Sequence, residues 1–245
     1  MIQAAIFDVF GTVVDWRRGV AQFVAEIFRD KGIETDPLVF ADAWRDEYQP
    51  AMERIRSGNR GYVSLDDLHL ENLERILPRF DLQDRFTAEE RAELNRAWEH
   101  LPPWPDVRSG LSVIKSQRII APCSNGSIAL MTRLARHAGL PWDCILGADL
   151  AKAYKPMPEA YLRSAAALRL PPSEVLMVAA HNSDLEAAQA NGLATAFVPR
   201  PDEHGPGTGE TEPTGNWTYI APDFTDLAHQ LASELLAGRA GRSAL

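Results

Sequence analysis

The first strand-like run of this chain stands far from the others. Ala4-Ala5-Ile6-Phe7 is short, apolar and followed by a turn signal, the pattern of a buried strand. The next such run is Arg118-Ile119-Ile120-Ala121-Pro122-Cys123, where Pro122 weakens a central placement in a sheet. Between them, from Asp15 to about Glu99, the spacing is helical. Val20, Phe23, Val24, Ile27 and Phe28 form one stripe, closed by Lys31-Gly32. Val39, Phe40, Ala43, Trp44, Met52 and Ile55 predict a second helix ending at Ser57-Gly58. Ser64 caps a third through Leu77, and Thr87-Ala88-Glu89-Glu90 is a capping box for a fourth. Pro102-Pro103-Trp104-Pro105 then leads back to the core. The expectation is an all-helical insert after strand 1.

Beyond residue 118, strands and helices alternate. Cys144-Ile145-Leu146, Val175 to Ala180 and Ala194 to Val198 read as strands. Ile128 to His137, Pro158 to Leu168 and Asp184 to Asn191 read as helices. That alternation predicts α/β architecture, a parallel sheet with helices on both faces. Asp202 to Asn216, rich in Gly, Pro and Thr, reads as a loop. A last helix is expected over about 224–236, with a frayed tail from Gly238.

With 245 residues, the chain is one large domain or two modest ones. Its net charge of −9 argues against nucleic acid or an anionic membrane as the main partner. The only cysteines, Cys123 and Cys144, give no disulfide framework and read as buried free thiols. No signal-like segment opens the chain and no apolar run reaches membrane length, so the cytoplasm is the default location.

Chemistry gathers where strands end, as expected of open α/β sheets. Asp8 follows strand 1, with Gly11 for a tight turn and Thr12 for a local hydrogen bond. It is a candidate nucleophile, or else a turn former. Ser124-Asn125-Gly126-Ser127 follows the second core strand and offers an anion site or an ordinary helix cap. Lys155-Pro156 sits in a strand-to-helix loop, and His181-Asn182-Ser183-Asp184 follows the strongest apolar strand. Arg45 lies on the second helix, either functional or on a solvated face.

The order Asp-x-x-Gly-Thr, helical insert, Ser-Asn-Gly, Lys-Pro and acidic turn resembles the haloacid dehalogenase superfamily across nearly the whole chain. The fold implied is a Rossmann-like core over 1–15 and 100–245, with a helical cap over 16–99. Phosphatases of the superfamily carry a second acid two residues after the nucleophile. Here that position is Phe10, which neither transfers a proton nor binds Mg²⁺. Asp8-Val9-Phe10-Gly11-Thr12, Trp44-Arg45 and Tyr154-Lys155-Pro156 are similar to L-2-haloacid dehalogenases instead.

The resemblance implies that Asp8 attacks C2 of a small 2-haloacid to form an ester, which water hydrolyses. Lys155 would keep Asp8 ionised. Arg45 and Asn125 would hold the departing halide, with Phe10 beside it. Ser124 and the amides from Val9 onward would hold the substrate carboxylate, and Asp184 would orient Lys155 or activate water. No cofactor or metal is implied, and a homodimer is suggested. A superfamily phosphatase, another carbon–heteroatom hydrolase and a non-catalytic acid-binding member stay open as alternatives.

The fourth motif departs from the family. Ala179, His181 and Ser183 stand where Ser, Asn and Trp are usual, and Asp184 is kept. His181 is expected to act as base or hydrogen-bond donor, or to cap the next helix. With Asn182 it is expected to fill the space of the missing indole. That would make a compact polar pocket suited to fluoride and so to fluoroacetate.

Overall fold

The computed structural model describes residues 1–242, with side chains described through Glu234. Strand β1 (Ala4–Phe7) is followed by helices α1 (Trp16–Lys31), α2 (Pro37–Asp46), α3 (Tyr48–Arg56), α4 (Leu65–Ile76), α5 (Ala88–Asn95) and α6 (Val107–Lys115). Then come β2 (Ile119–Ser124), α7 (Ile128–Ala138), β3 (Leu146–Gly147), α8 (Ala148–Ala151) and α9 (Pro158–Ala167). The chain closes with β4 (Val175–Ala179), α10 (Asn182–Ala190), β5 (Ala194–Phe197), β6 (Tyr219–Ile220) and α11 (Phe224–Arg242).

The six strands form one parallel sheet in the order β3-β2-β1-β4-β5-β6. β1 lies inside it, with Ile6 level with Ala121 of β2 and Met177 of β4. Every residue of β1 and β4 is buried, as strands covered on both faces must be. This register brings the carboxyl ends of β1, β2 and β4 to one edge of the sheet. The helices between β1 and β2 form the cap, except that α6 turns back to pack on β2 and α11. No helix among the described residues is long and apolar enough to cross a membrane.

The expected insert is present, with local corrections. The single second helix is two, α2 and α3, broken at Glu47. Pro50 is the cause: a continuous helix would need its missing N–H for the Asp46 carbonyl, whereas it fits the first turn of a new helix. Helix α6 was unforeseen. Its buried Val107, Gly110, Leu111 and Ile114 have helical spacing, but a glycine in the middle and prolines just before it hide the signal. Gly110 is there for closeness, because a Cβ would lie 2.5 Å from that of Phe224 on α11.

Pro122 does sit inside the sheet. β3 pairs with β2 only at Cys123 and Ser124, beyond the proline. β3 itself lies later than expected, at Leu146–Gly147, and the short β6 and α8 were not foreseen. Cys123 and Cys144 are free, but Cys144 is only half-buried. α10 begins at Asn182, and α11 runs to Arg242 without stopping at Leu236. Ala237, Arg239 and Ala240 favour helix enough to carry it past Gly238. Of the expected frayed tail, Ser243 to Leu245 lie outside the described residues.

Candidate active site

Asp8 is the first residue past the buried end of β1, and its N–H still bonds to the Val178 carbonyl at 3.0 Å. The chain then turns sharply, with Val13 and Val14 both donating to the Val9 carbonyl and Gly11 at φ +91°. The turn returns Thr12 to the carboxylate. Its hydroxyl donates to Asp8 Oδ2 at 2.7 Å and accepts from the Ala180 N–H at 2.9 Å. Thr12 thereby ties the end of β1 to the end of β4.

Lys155 reaches the same carboxylate from the loop before α9. Its Nζ is 2.8 Å from Asp8 Oδ1 and 2.5 Å from Asp184 Oδ2, and all three groups are buried or nearly so. Tyr161, one turn into α9, donates its hydroxyl to the other oxygen of Asp184. His181 completes the cluster. Nδ1 stands 3.3 Å from Asp8 Oδ2, and Nε2 stands 2.8 Å from Oε2 of Glu203. Glu203 is almost wholly buried and accepts a second bond from the Trp16 indole at 3.1 Å.

Charge follows from these contacts. Burial pushes the Asp8 carboxyl up, but Lys155 and His181 outweigh it and hold Asp8 far below the usual carboxylate range. Burial pushes Lys155 down, and Asp184 with Asp8 more than reverses that. His181 likewise rises well above an ordinary histidine against its burial, because it bonds to Asp8 and Glu203. Glu203, raised by burial, is lowered overall by His181. The resting site is therefore Asp8⁻ between an ammonium and an imidazolium.

Across the cleft, the cap supplies a different surface. Arg45 on α2 lies 4.0 Å from the Tyr48 ring centroid and 5.2 Å from that of Trp16. Its Nη1 is buried without a hydrogen-bond partner in the protein. Phe10 sets its ring edge-on to Trp98 at 5.8 Å. His69 stacks on the same Trp98 at 4.2 Å, and burial holds it well below its ordinary pKa, hence neutral. Trp44 does not face the cleft: its indole donates to the His69 carbonyl and braces the cap. Between the two walls lies a cavity of about 580 Å³ lined by Asp8, Phe10, Arg45, Asn125, Lys155 and Asp184, among others.

Of the residues singled out in the sequence, Asp8, Phe10, Arg45, Asn125, Lys155, His181 and Asp184 meet at this cavity. The Asn125 side chain accepts from the Lys155 N–H at 2.8 Å, which fixes its orientation. Three others do not reach it. The Ser124 hydroxyl is fully buried and accepts from the Gly126 N–H, closing its own turn. The Val9 side chain is core, so only its main chain is left to face a ligand. Asn182 turns away: its amide donates to Glu210 and accepts from Thr214 and Trp217, anchoring the 202–216 loop. The expectation that His181 and Asn182 together fill the space of the missing indole is corrected for Asn182 alone: His181, bonded to Glu203, lines the cavity beside Ser183, and Asn182 is held by the loop.

Sequence reasoning missed Glu203, Tyr161 and Trp16. Glu203 has no local signature, standing in a segment that reads as plain loop. A trace of it lies in Gly11, where a Cβ would fall 2.1 Å from the Glu203 carboxylate.

Residues 2–192 match the haloacid dehalogenase-like hydrolase family. The (S)-2-haloacid dehalogenase of a Pseudomonas species (strain YL) is 28% identical over 202 residues, covering 81% of this chain and 83% of that one. Among solved structures, a defluorinating L-2-haloacid dehalogenase superposes with a TM-score of 0.91. It is 51% identical, covering 94% of this chain and 95% of that chain. A second L-2-haloacid dehalogenase gives 0.89 at 43% identity, covering 94% and 100%.

Proposed function

The chain belongs to the haloacid dehalogenase-like hydrolases, and we propose that it is an (S)-2-haloacid dehalogenase whose nucleophile is Asp8. The observation that carries this is the setting of Asp8. Two cations hold it ionised, it opens on a cleft, and the aromatic Phe10 stands two residues on. A halide leaves as an anion and needs no proton. A site with Phe10, not a second carboxylic acid, two residues after the nucleophile therefore suits a carbon–halogen bond better than a phosphate ester.

Asp8 attacks C2 in line and displaces the halide, forming an ester with inverted configuration. In-line attack puts the leaving halide on the far side of C2 from Asp8, toward the cap. Arg45, with a buried N–H that has no protein partner, and the Asn125 amide are the donors there. Water then attacks the Asp8 carbonyl carbon, with the Lys155 ammonium beside the developing oxyanion. The product is the (R)-2-hydroxy acid. Asp184, committed to Lys155 and Tyr161, keeps that ammonium in place.

The proposed substrate range includes fluoroacetate, a reading supported by the likeness, at 51% identity, to a defluorinating L-2-haloacid dehalogenase. Halide release should be measured from fluoro-, chloro- and bromoacetate and both enantiomers of 2-chloropropanoate, with and without EDTA. Release from the (S) enantiomer that survives EDTA is expected. Hydrolysis of a chromogenic phosphate ester with Mg²⁺, and no halide from any acid, would contradict the reading. A homodimer is expected, giving twice the chain mass by light scattering.

A further inference from the structure

His181 touches the nucleophile directly, whereas Asp184 does not. Lys155 Nζ lies between the two carboxylates, and both Asp184 oxygens are already bonded, one to Lys155 and one to Tyr161. His181 has one ring nitrogen on Asp8 and the other on the buried Glu203. Glu203 is itself fixed by Trp16 and by the bare Cα of Gly11. A carboxylate, an imidazole and the reacting carboxyl thus stand in a row. Because His181 is on the Asp8 side of the substrate, it is remote from a halide leaving in line.

Resting on the dehalogenase reading, we infer that His181, oriented by Glu203, is the general base that hydrolyses the Asp8 ester. In the resting enzyme His181 is protonated and pairs with Asp8⁻. Alkylation forms the bond from an Asp8 oxygen to C2, breaks the carbon–halogen bond and sends the electron pair out with the halide. Asp8 is then neutral, and the charge that held the second proton on His181 is gone. That proton leaves to solvent, so Nδ1 has a free lone pair while Nε2–H stays on Glu203. A water beside both Nδ1 and the Asp8 carbonyl carbon, on the open side of the cleft, gives its proton to Nδ1 as its oxygen bonds to that carbon. The tetrahedral centre collapses by breaking its bond to the ester oxygen, which takes the proton from His181 and leaves as the 2-hydroxy acid. The Asp8 carboxylic proton returns to His181, restoring the resting pair. One proton and one halide are released per turnover.

Glu203 is a positioning residue, acting through His181. The charged groups around the imidazole are Asp8 from the β1 turn, with Lys155 behind it, Asp184 on its own helix, and Glu203 with His204 from the loop. His204 Nε2 is 3.7 Å from Glu203, and Arg45 from α2 also lowers the Glu203 pKa.

Quenched flow with (S)-2-chloropropanoate, reading chloride, 2-hydroxy acid and the intact mass of the protein, tests this in His181→Asn and Glu203→Gln. His181→Asn should release one chloride per site promptly and carry the ester adduct on Asp8. It should hydrolyse that adduct about 10²-fold more slowly than wild type. Glu203→Gln retains the imidazole and serves if the first variant fails to fold. Its adduct should hydrolyse with a pH midpoint moved to lower pH, because a negative partner of His181 is gone. A purely structural effect would lower the rate without moving the midpoint. Chloride release that falls in step with hydroxy acid, with no adduct, would overturn the inference. So would adduct hydrolysis at the wild-type rate. A wild type that releases no halide from any 2-haloacid would refute the dehalogenase reading itself.

Discussion

On the sheet side of the cleft, Asp8 has three side chains within 3.3 Å: Thr12, Lys155 and His181. On the cap side, Arg45 leaves Nη1 buried with no protein partner and rests on aromatic faces. The first wall is fixed by hydrogen bonds and opposite charges, each removing freedom from a reacting group. The second is fixed by ring packing and holds a donor in reserve. A group that must be ionised before substrate arrives is satisfied in advance. A donor that must receive a charge made during the reaction is left unsatisfied, so it has no protein bond to break when that charge appears.

Breaking the sheet-side wall should do the most. Asp8→Asn removes the nucleophile, and halide release should fall below detection in an ion-selective electrode assay while the thermal midpoint stays measurable. Release at more than a trace would place the nucleophile elsewhere.

Cap-side loss should be large in rate and small in stability. Arg45→Ala should lower kcat/KM for 2-chloropropanoate by about 10²–10³-fold, the usual cost of one preorganised donor. The melting temperature should hold or rise, since a buried guanidinium nitrogen without a partner costs stability. If melting and activity collapse together, Arg45 is structural and the contrast between the walls disappears.

Gly11→Ala should sit between the two. A Cβ at φ +91° and 2.1 Å from Glu203 forces the loop away. About 1–3 kcal/mol of stability should be lost in denaturant titration. An unchanged midpoint would mean that Glu203 is not held against this turn.

The fold and half the site were legible in the sequence because their signals are local. β1 and β4 announce themselves by unbroken apolar runs, the cap by helical spacing and a capping box. Asp8, Lys155, His181 and Asp184 stand just beyond strand ends or in the loop before a helix, where one-dimensional order predicts convergence. Glu203 gave no such signal. It comes from a loop after β5 and owes its role to a contact across the sheet edge with Trp16 and His181. The direction of Asn182 was equally hidden, because it depends on where Glu210 and Trp217 fold back. Helix α3 was obscured by reading Pro50 as part of a longer stripe.

The smallest effect expected concerns pH and stability. His181 has a raised folded pKa, so its stabilisation is complete below about pH 6.5, its unfolded value. It is lost as pH rises through the folded pKa. Asp8 and Glu203, both lowered, contribute above their unfolded values and lose that contribution only in acid. The melting gap between wild type and His181→Asn should therefore narrow as pH rises above 6.5. A gap that widens would mean that His181 is neutral in the resting enzyme.

The nucleophilic role of Asp8 is tested most directly by a single turnover in ¹⁸O-labelled water with enzyme in excess over (S)-2-chloropropanoate. Water that attacks the Asp8 carbonyl carbon leaves its oxygen in the enzyme. The label should appear in the peptide carrying Asp8, and the first 2-hydroxypropanoate should be unlabelled. Label in that first product and none in Asp8 would mean that water attacks C2 itself, and no aspartyl ester forms.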